Sequence, residues 1–100
     1  MHAARITRHG APPELTDAAP APVGPGARIA TTVAPLTPLD LLCATGTSYF
    51  GAPALPYVPG VQGVGTVLCA ETLSAGTRVW FPTTAGMAPG DGSLAAETLV

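Results

Sequence analysis

Charge is scarce in this chain. Only 10% of its 100 residues are Asp, Glu, Lys or Arg, and the formal net charge is −2. Lysine is absent: the four cations are Arg5, Arg8, Arg28 and Arg78. They are scattered, so no basic stripe exists to neutralise a phosphate backbone, and nucleic acid is excluded as a partner. No run approaches the roughly 20 apolar residues of a membrane span, which argues against a membrane partner. The opening MHAARITRHG is charged early and has no apolar core, so it is not a secretory signal. The expected location is the cytoplasm. Cysteine is reduced to Cys43 and Cys69, with no CxxC pair, which excludes a zinc ribbon. In a reducing compartment both are expected as buried free thiols rather than a disulfide.

What the chain does have is apolar residues, glycine and proline. Hydrophobic residues make up 47%, enough to exclude disorder, while 12 Gly and 12 Pro argue against a helical bundle. This composition suits short strands joined by many turns, and the length suits one domain of modest stability.

Strands are expected over His2–Thr7, Glu14–Ala18, Ala27–Ala34, Gln62–Ala70, Thr77–Phe81 and Leu94–Val100. The β-branched run ARIATTVA (Ala27 to Ala34) is the clearest of them. PAPVGPG, from Pro20 to Gly26, is a tight connector. One helix is expected from Pro38 to about Thr45. Thr37 fits its N-cap, Pro38 its first position and Asp40 its positive end, while Gly46 fits the left-handed residue that stops it. Leu39, Leu42 and Cys43 share one face by spacing. TSYFGAPA reads as an irregular loop and AGMAPGDG as a mobile turn.

LPYVPGVQGVGTV (Leu55 to Val67) carries the densest pattern. Pro56 and Pro59 fix φ, and Gly60, Gly63 and Gly65 permit a turn and close backbone approach. The glycine order is G-x-x-G-x-G and leads into a strand rather than a helix. It therefore fails as a dinucleotide fingerprint and reads as backbone geometry.

In order along the chain, these segments resemble the N-terminal GroES-like domain of the medium-chain dehydrogenase/reductase superfamily, and most of all its zinc-independent NADPH:quinone oxidoreductase branch. MHAARITRHGAPPEL and PVGPG resemble its first strand, "G-P-E-L" turn and "P-x-P-G-P-G" turn. TPLDLLCATG resembles "N-P-x-D-x-x-x-R-x-G", and LPYVPGVQGVGTV resembles "L-P-x-x-P-G-x-E-x-x-G-x-V". AGTRVW and GSLAAETLV resemble "x-G-D-R-V" and "G-x-x-A-E-x-x-x-V". Each motif alone is weak; their order over nearly the whole chain carries the resemblance.

The resemblance implies a mainly β, GroES-like, partly open barrel with one short helix. It also implies that this chain is the substrate-side domain of an NADPH-dependent quinone or enone oxidoreductase, with a homodimer among the assemblies open to the parent enzyme. Where zinc-dependent relatives carry cysteine and Gly-His-Glu, this chain has Thr37 and Gly60-Val61-Gln62, so no catalytic zinc is expected. His2 and His9 are expected at the surface. Pocket-edge residues implied by the resemblance are Thr37, Asp40, Tyr49 and Gln62. Thr37 stands where the branch usually has asparagine; its hydroxyl serves either as a helix cap or as a donor to a substrate carbonyl. Asp40 is expected in a structural role. Tyr49 would stack on or hydrogen-bond a ring, with Phe50 closing the wall. Gln62 replaces a glutamate, keeping size while removing charge. Thr77 for Asp and Ala44 for Arg mark a divergent member.

No repeated βαβ units are visible, so the cofactor-binding Rossmann half is expected elsewhere. The apolar pattern stops mid-strand at Val100, which is expected of a fragment, a truncated frame or an isolated domain without turnover of its own. The other reading is a stand-alone GroES-like barrel used for binding or assembly, with TSYFGAPALPYV as its apolar loop.

Overall fold

A computed structural model describes residues 1–17 and 26–100. Six strands and one helix occur in the order β1 (His2–Arg5), β2 (Glu14–Asp17), β3 (Arg28–Val33), α1 (Pro38–Thr45), β4 (Gln62–Cys69), β5 (Arg78–Pro82) and β6 (Glu97–Leu99). β1 and β2 form an antiparallel pair. The other strands form an antiparallel sheet in the order β5-β4-β3-β6. The β1 segment is tied to the rest of the chain by a bridge between Ala3 and Ala95, just before β6, and by mutual hydrogen bonds between Ile6, just after β1, and Tyr57 in the stretch between α1 and β4. Neither sheet closes among the described residues. The fold is thus mainly β and open, with one short helix, as expected.

β4 shows the two-residue alternation of a strand with one face inside, and its buried positions are Gly63, Gly65 and Val67. Glycine at two inward positions is a packing requirement. A Cβ at Gly65 would lie 2.6 Å from Ile29 Cγ2 and collide with the Ala30 carbonyl of β3. The space left open lets Ile29 and Val67 be almost completely buried. Each such side chain contributes about 1.5–3 kcal/mol. The glycines therefore serve strand packing.

Several elements are shorter than the sequence suggests. β1 ends at Arg5 and β6 covers only Glu97–Leu99. Ala18 and most of the Pro20–Gly26 connector lie outside the described residues. The face expected of α1 is also corrected: Asp40 and Cys43 point inward, while Leu41 and Leu42 are exposed. Cys43 is buried as expected, whereas Cys69, at the end of β4, is exposed. Among the described residues no helix is long and apolar enough to cross a membrane.

Candidate functional site

The start of α1 is built as the sequence predicts. Thr37 is the N-cap, with extended backbone at φ −118° and ψ 162°, and Gly46 closes the helix in the left-handed region at φ 76°. The Thr37 amide and hydroxyl both donate to Asp40 Oδ2, at 2.9 and 3.0 Å. The Asp40 amide donates back to Thr37 Oγ1 at 3.4 Å. This reciprocal pair is a capping box, here with aspartate as the acid.

Asp40 does a second job. Its Oδ1 accepts from the Val61 amide at 3.0 Å, so the helix start is tied to the turn before β4. That turn is held from two more sides. Thr83 donates its hydroxyl to the Gly60 carbonyl, and Ser93 donates to the Gln62 carbonyl at 2.6 Å. Gly60 sits at φ +115°, where a Cβ would run into the Ser93 hydroxyl. Asp40 is thus a buried carboxylate with three donors, which compensates its desolvation. This is a structural arrangement, and it commits the Thr37 hydroxyl to the cap.

The other two expected pocket residues lie apart from this pair. Gln62 follows Val61 at the start of β4, and its Oε1 accepts from Trp80 Nε1 at 3.0 Å across the β4–β5 pair. Tyr49 is 97% exposed, and its ring meets Phe50 edge-on at 5.8 Å. The fold therefore joins Thr37 and Asp40, sets Gln62 next to Val61, which Asp40 holds, and leaves Tyr49 in solvent.

A concavity lies against Phe50, the neighbour of Tyr49. A cavity of about 440 Å3 opens between the loop following α1 and the segment 86–91. Its walls include Phe50, Pro53, Pro56, Tyr57, Met87 and Asp91. The volume and apolar walls fall in the range of small-molecule sites. Of the residues expected at the pocket, Phe50 lines it, and Thr37, Asp40, Tyr49 and Gln62 do not. The Leu55–Pro56 peptide on the first wall is cis.

The second wall is the AGMAPGDG segment, which sequence reading treats as a mobile turn. Instead its base is packed: Ala85, Gly86 and Gly92 are buried. The Met87 and Ala88 amides both donate to the Thr84 carbonyl. Asp91 stitches the walls together, since its Oδ1 accepts from the Val58 amide at 2.9 Å and the Gly92 amide donates to the Val58 carbonyl at 2.7 Å. The only signal for this wall in the sequence is the density of glycine between two strands.

Tyr57 forms the cavity floor and reaches into the core with Ile6 and Ala85. Its hydroxyl is buried and has no hydrogen-bond partner. Burial pushes its pKa up to about 12, with smaller contributions from Cys43 and Asp40 nearby. A phenol held this firmly neutral is no base near pH 7. His9 is also corrected: it is half-buried against Gly46, with Nδ1 enclosed and unpartnered, while His2 is exposed.

Thr37 and Val61, at the two expected zinc positions, do not fit a catalytic zinc, and the glycine triplet does not fit a dinucleotide's phosphates. Thr37 is committed to Asp40, and Val61 offers no ligating side chain. Gly60, Gly63 and Gly65 face Ser93, Phe81 and Ile29 at distances that leave no room for a phosphate.

No protein-family model matches the chain, and no curated protein matches it in sequence. Solved structures do share its fold. An alcohol dehydrogenase superfamily protein from Novosphingobium aromaticivorans superposes over 100% of this chain and 32% of its own, with TM-score 0.88 and 23% identity. The YhdH oxidoreductase from Salmonella enterica, solved in complex with NADP, covers 100% of this chain and 32% of its own, with TM-score 0.82 and 21% identity. A mycobacterial quinone oxidoreductase covers 98% of this chain and 30% of its own, with TM-score 0.77 and 22% identity. The chain spans about a third of the length of these proteins, and what it shares with them is the fold of that third.

Proposed function

We propose that this chain is the substrate-side domain of a two-part, zinc-independent, NADPH-dependent quinone or enone oxidoreductase of the medium-chain dehydrogenase/reductase superfamily. The observation that carries the proposal is the likeness in fold, over the whole chain, to about a third of larger oxidoreductases, one solved with NADP and one named for quinone. Two features support it. The motifs from Thr37 to Gly46 and from Leu55 to Val67 occur in the order of that superfamily. In addition, α1 leaves Leu41 and Leu42 exposed at 67% and 46%, and Tyr49 and Phe50 in the loop after it are exposed too, apolar side chains available to a second body.

In this reading NADPH is held by a separate nucleotide-binding half and supplies the hydride. This chain binds the acceptor, orients it and keeps water away. The 440 Å3 cavity is the acceptor's place, with Phe50, Pro53, Pro56 and Met87 against its ring. Asp40 positions the Gly60–Gln62 turn and has no proton-transfer role. The protein works in the cytoplasm, where Cys43 and Cys69 stay as free thiols.

The exposed Tyr49 loop supports a second reading, a binding or assembly module. The two readings part on one experiment: NADPH oxidation by the purified chain with a soluble quinone, together with the reading frame beyond Val100. The proposal expects no turnover by the chain alone, and a strand–glycine turn–helix pattern (A-x-x-G-x-V-G or G-x-G-x-x-G) within roughly the next hundred residues. Robust oxidation by the chain alone, or a frame without that pattern, overturns it.

A further inference from the structure

The cavity between the loop after α1 and the segment 86–91 has an uneven chemistry. Its walls are apolar side chains and backbone, and its one charged lining residue is Asp91. No Arg and no His lines it. Asp91 is exposed, and only its Oδ1 is engaged, with the Val58 amide; Oδ2 has no hydrogen-bond partner among the described residues. Arg5 lines the adjoining cavity with Asp91, but among the described residues no ion pair joins the two. The Asp91 carboxylate therefore has no ion-pair partner at contact distance among the described residues.

We infer that Asp91 sets the charge selectivity of this cavity: it admits an uncharged planar ring acceptor of the quinone type and turns away the same ring carrying a sulfonate or carboxylate. The inference rests on the cavity being the acceptor site, and it adds a residue and a direction of selection. The apolar walls of Phe50, Pro53, Pro56 and Met87 receive either ring equally. The anionic one must bring its charge near the Asp91 carboxylate with no cation in the cavity's own lining to offset it. At a partly solvated mouth this repulsion corresponds to about a three- to tenfold difference in affinity, shrinking as salt screens it. Because the same carboxylate holds the Val58 amide, it also keeps the two walls at their spacing.

The test is a binding titration of the 100-residue chain followed by NMR, without cofactor. The probes are 2-hydroxymethylanthraquinone and anthraquinone-2-sulfonate, rings whose flanking benzo groups block addition of thiols. The neutral ring is expected to shift the Met87 methyl and Phe50 ring signals and to bind three- to tenfold tighter than the sulfonate at low salt. Asp91→Asn, whose amide oxygen still accepts from Val58, is expected to bring the two affinities within about twofold. Phe50→Ala, a change at a half-exposed side chain, is expected to weaken both rings alike. Equal binding of the two probes by the unaltered chain, a gap that survives in D91N, or shifts absent from the cavity walls each overturns the inference. Turnover is read separately: selective binding followed by no NADPH-linked reduction in the joined protein would leave the cavity's selectivity standing and defeat the enzymatic reading.

Discussion

Replacing Tyr57 by Phe is expected to stabilise this protein, against the usual direction of a core substitution. The Tyr57 hydroxyl is buried and unpartnered, while its ring packs with Ile6 and Ala85. Removing the oxygen keeps the ring and removes a buried polar group that costs about 1–3 kcal/mol to leave unsatisfied. A net gain of about 1–2 kcal/mol follows, or roughly 4–10 °C in Tm for a domain of this size. The alkaline limb gives a second reading of the same group. Its folded pKa is raised from 10.0 to about 12. Below pH 10 the phenol is neutral whether folded or unfolded, so it adds no pH dependence. Between pH 10 and 12 only the unfolded chain ionises, so stability falls with pH. The loss approaches about 2–3 kcal/mol by pH 12, at roughly 1.4 kcal/mol per pH unit. The absence of lysine leaves no ammonium titrating in that window. Urea unfolding at pH 7, 10 and 11.5 on both proteins is the assay. A Tyr57→Phe chain that is less stable at pH 7 by more than about 1 kcal/mol, or that shows the same alkaline loss, would refute the reasoning.

Other consequences are as direct. Asp40→Ala removes the capping box and the Val61 tie together, and is expected to cost about 2–4 kcal/mol in urea unfolding; a loss under about 1 kcal/mol would contradict the bonding described. Gly60→Ala meets both a φ of +115° and the Ser93 hydroxyl, whereas Gly10→Ala at φ +80° meets no atom within 4 Å. The first should cost at least about 2 kcal/mol more than the second by thermal unfolding. A thiol-reactive chromophore at neutral pH should modify Cys69 quickly and Cys43 only on unfolding, giving one thiol in the folded chain and two in denaturant. Two fast thiols would show that the packing of α1 is looser than described.

The parts of the structure that local chemistry decides were legible in the sequence. Thr37-Pro38-Leu39-Asp40 carries its own cap, first-turn proline and acid, and Gly46 its own stop, so α1 is readable without tertiary information. The long strands β3 and β4 follow from β-branched residues and two-residue alternation. What was not legible depends on contacts between distant segments. Leu39, Leu42 and Cys43 read as the inward face of α1, yet Asp40, bonded to the Val61 amide 21 residues away, is buried and Leu42 is exposed. The second cavity wall depends on Thr84 collecting two amides and on Asp91 reaching Val58, 33 residues away. Nothing in AGMAPGDG announces either bond. Of the four residues assigned to the pocket edge, Thr37 and Asp40 meet in the cap, while Tyr49 and Gln62 are placed apart from them and from the cavity.

The central claim is that this chain binds the acceptor for a hydride delivered from another half of the protein. The most direct measurement is NADPH oxidation, followed at 340 nm with a soluble neutral quinone, by this chain joined to the nucleotide-binding half proposed to follow it, compared with each part alone. The account predicts turnover only in the joined protein, with loss of that turnover in Phe50→Ala. Full turnover by the nucleotide-binding half without this chain would contradict it.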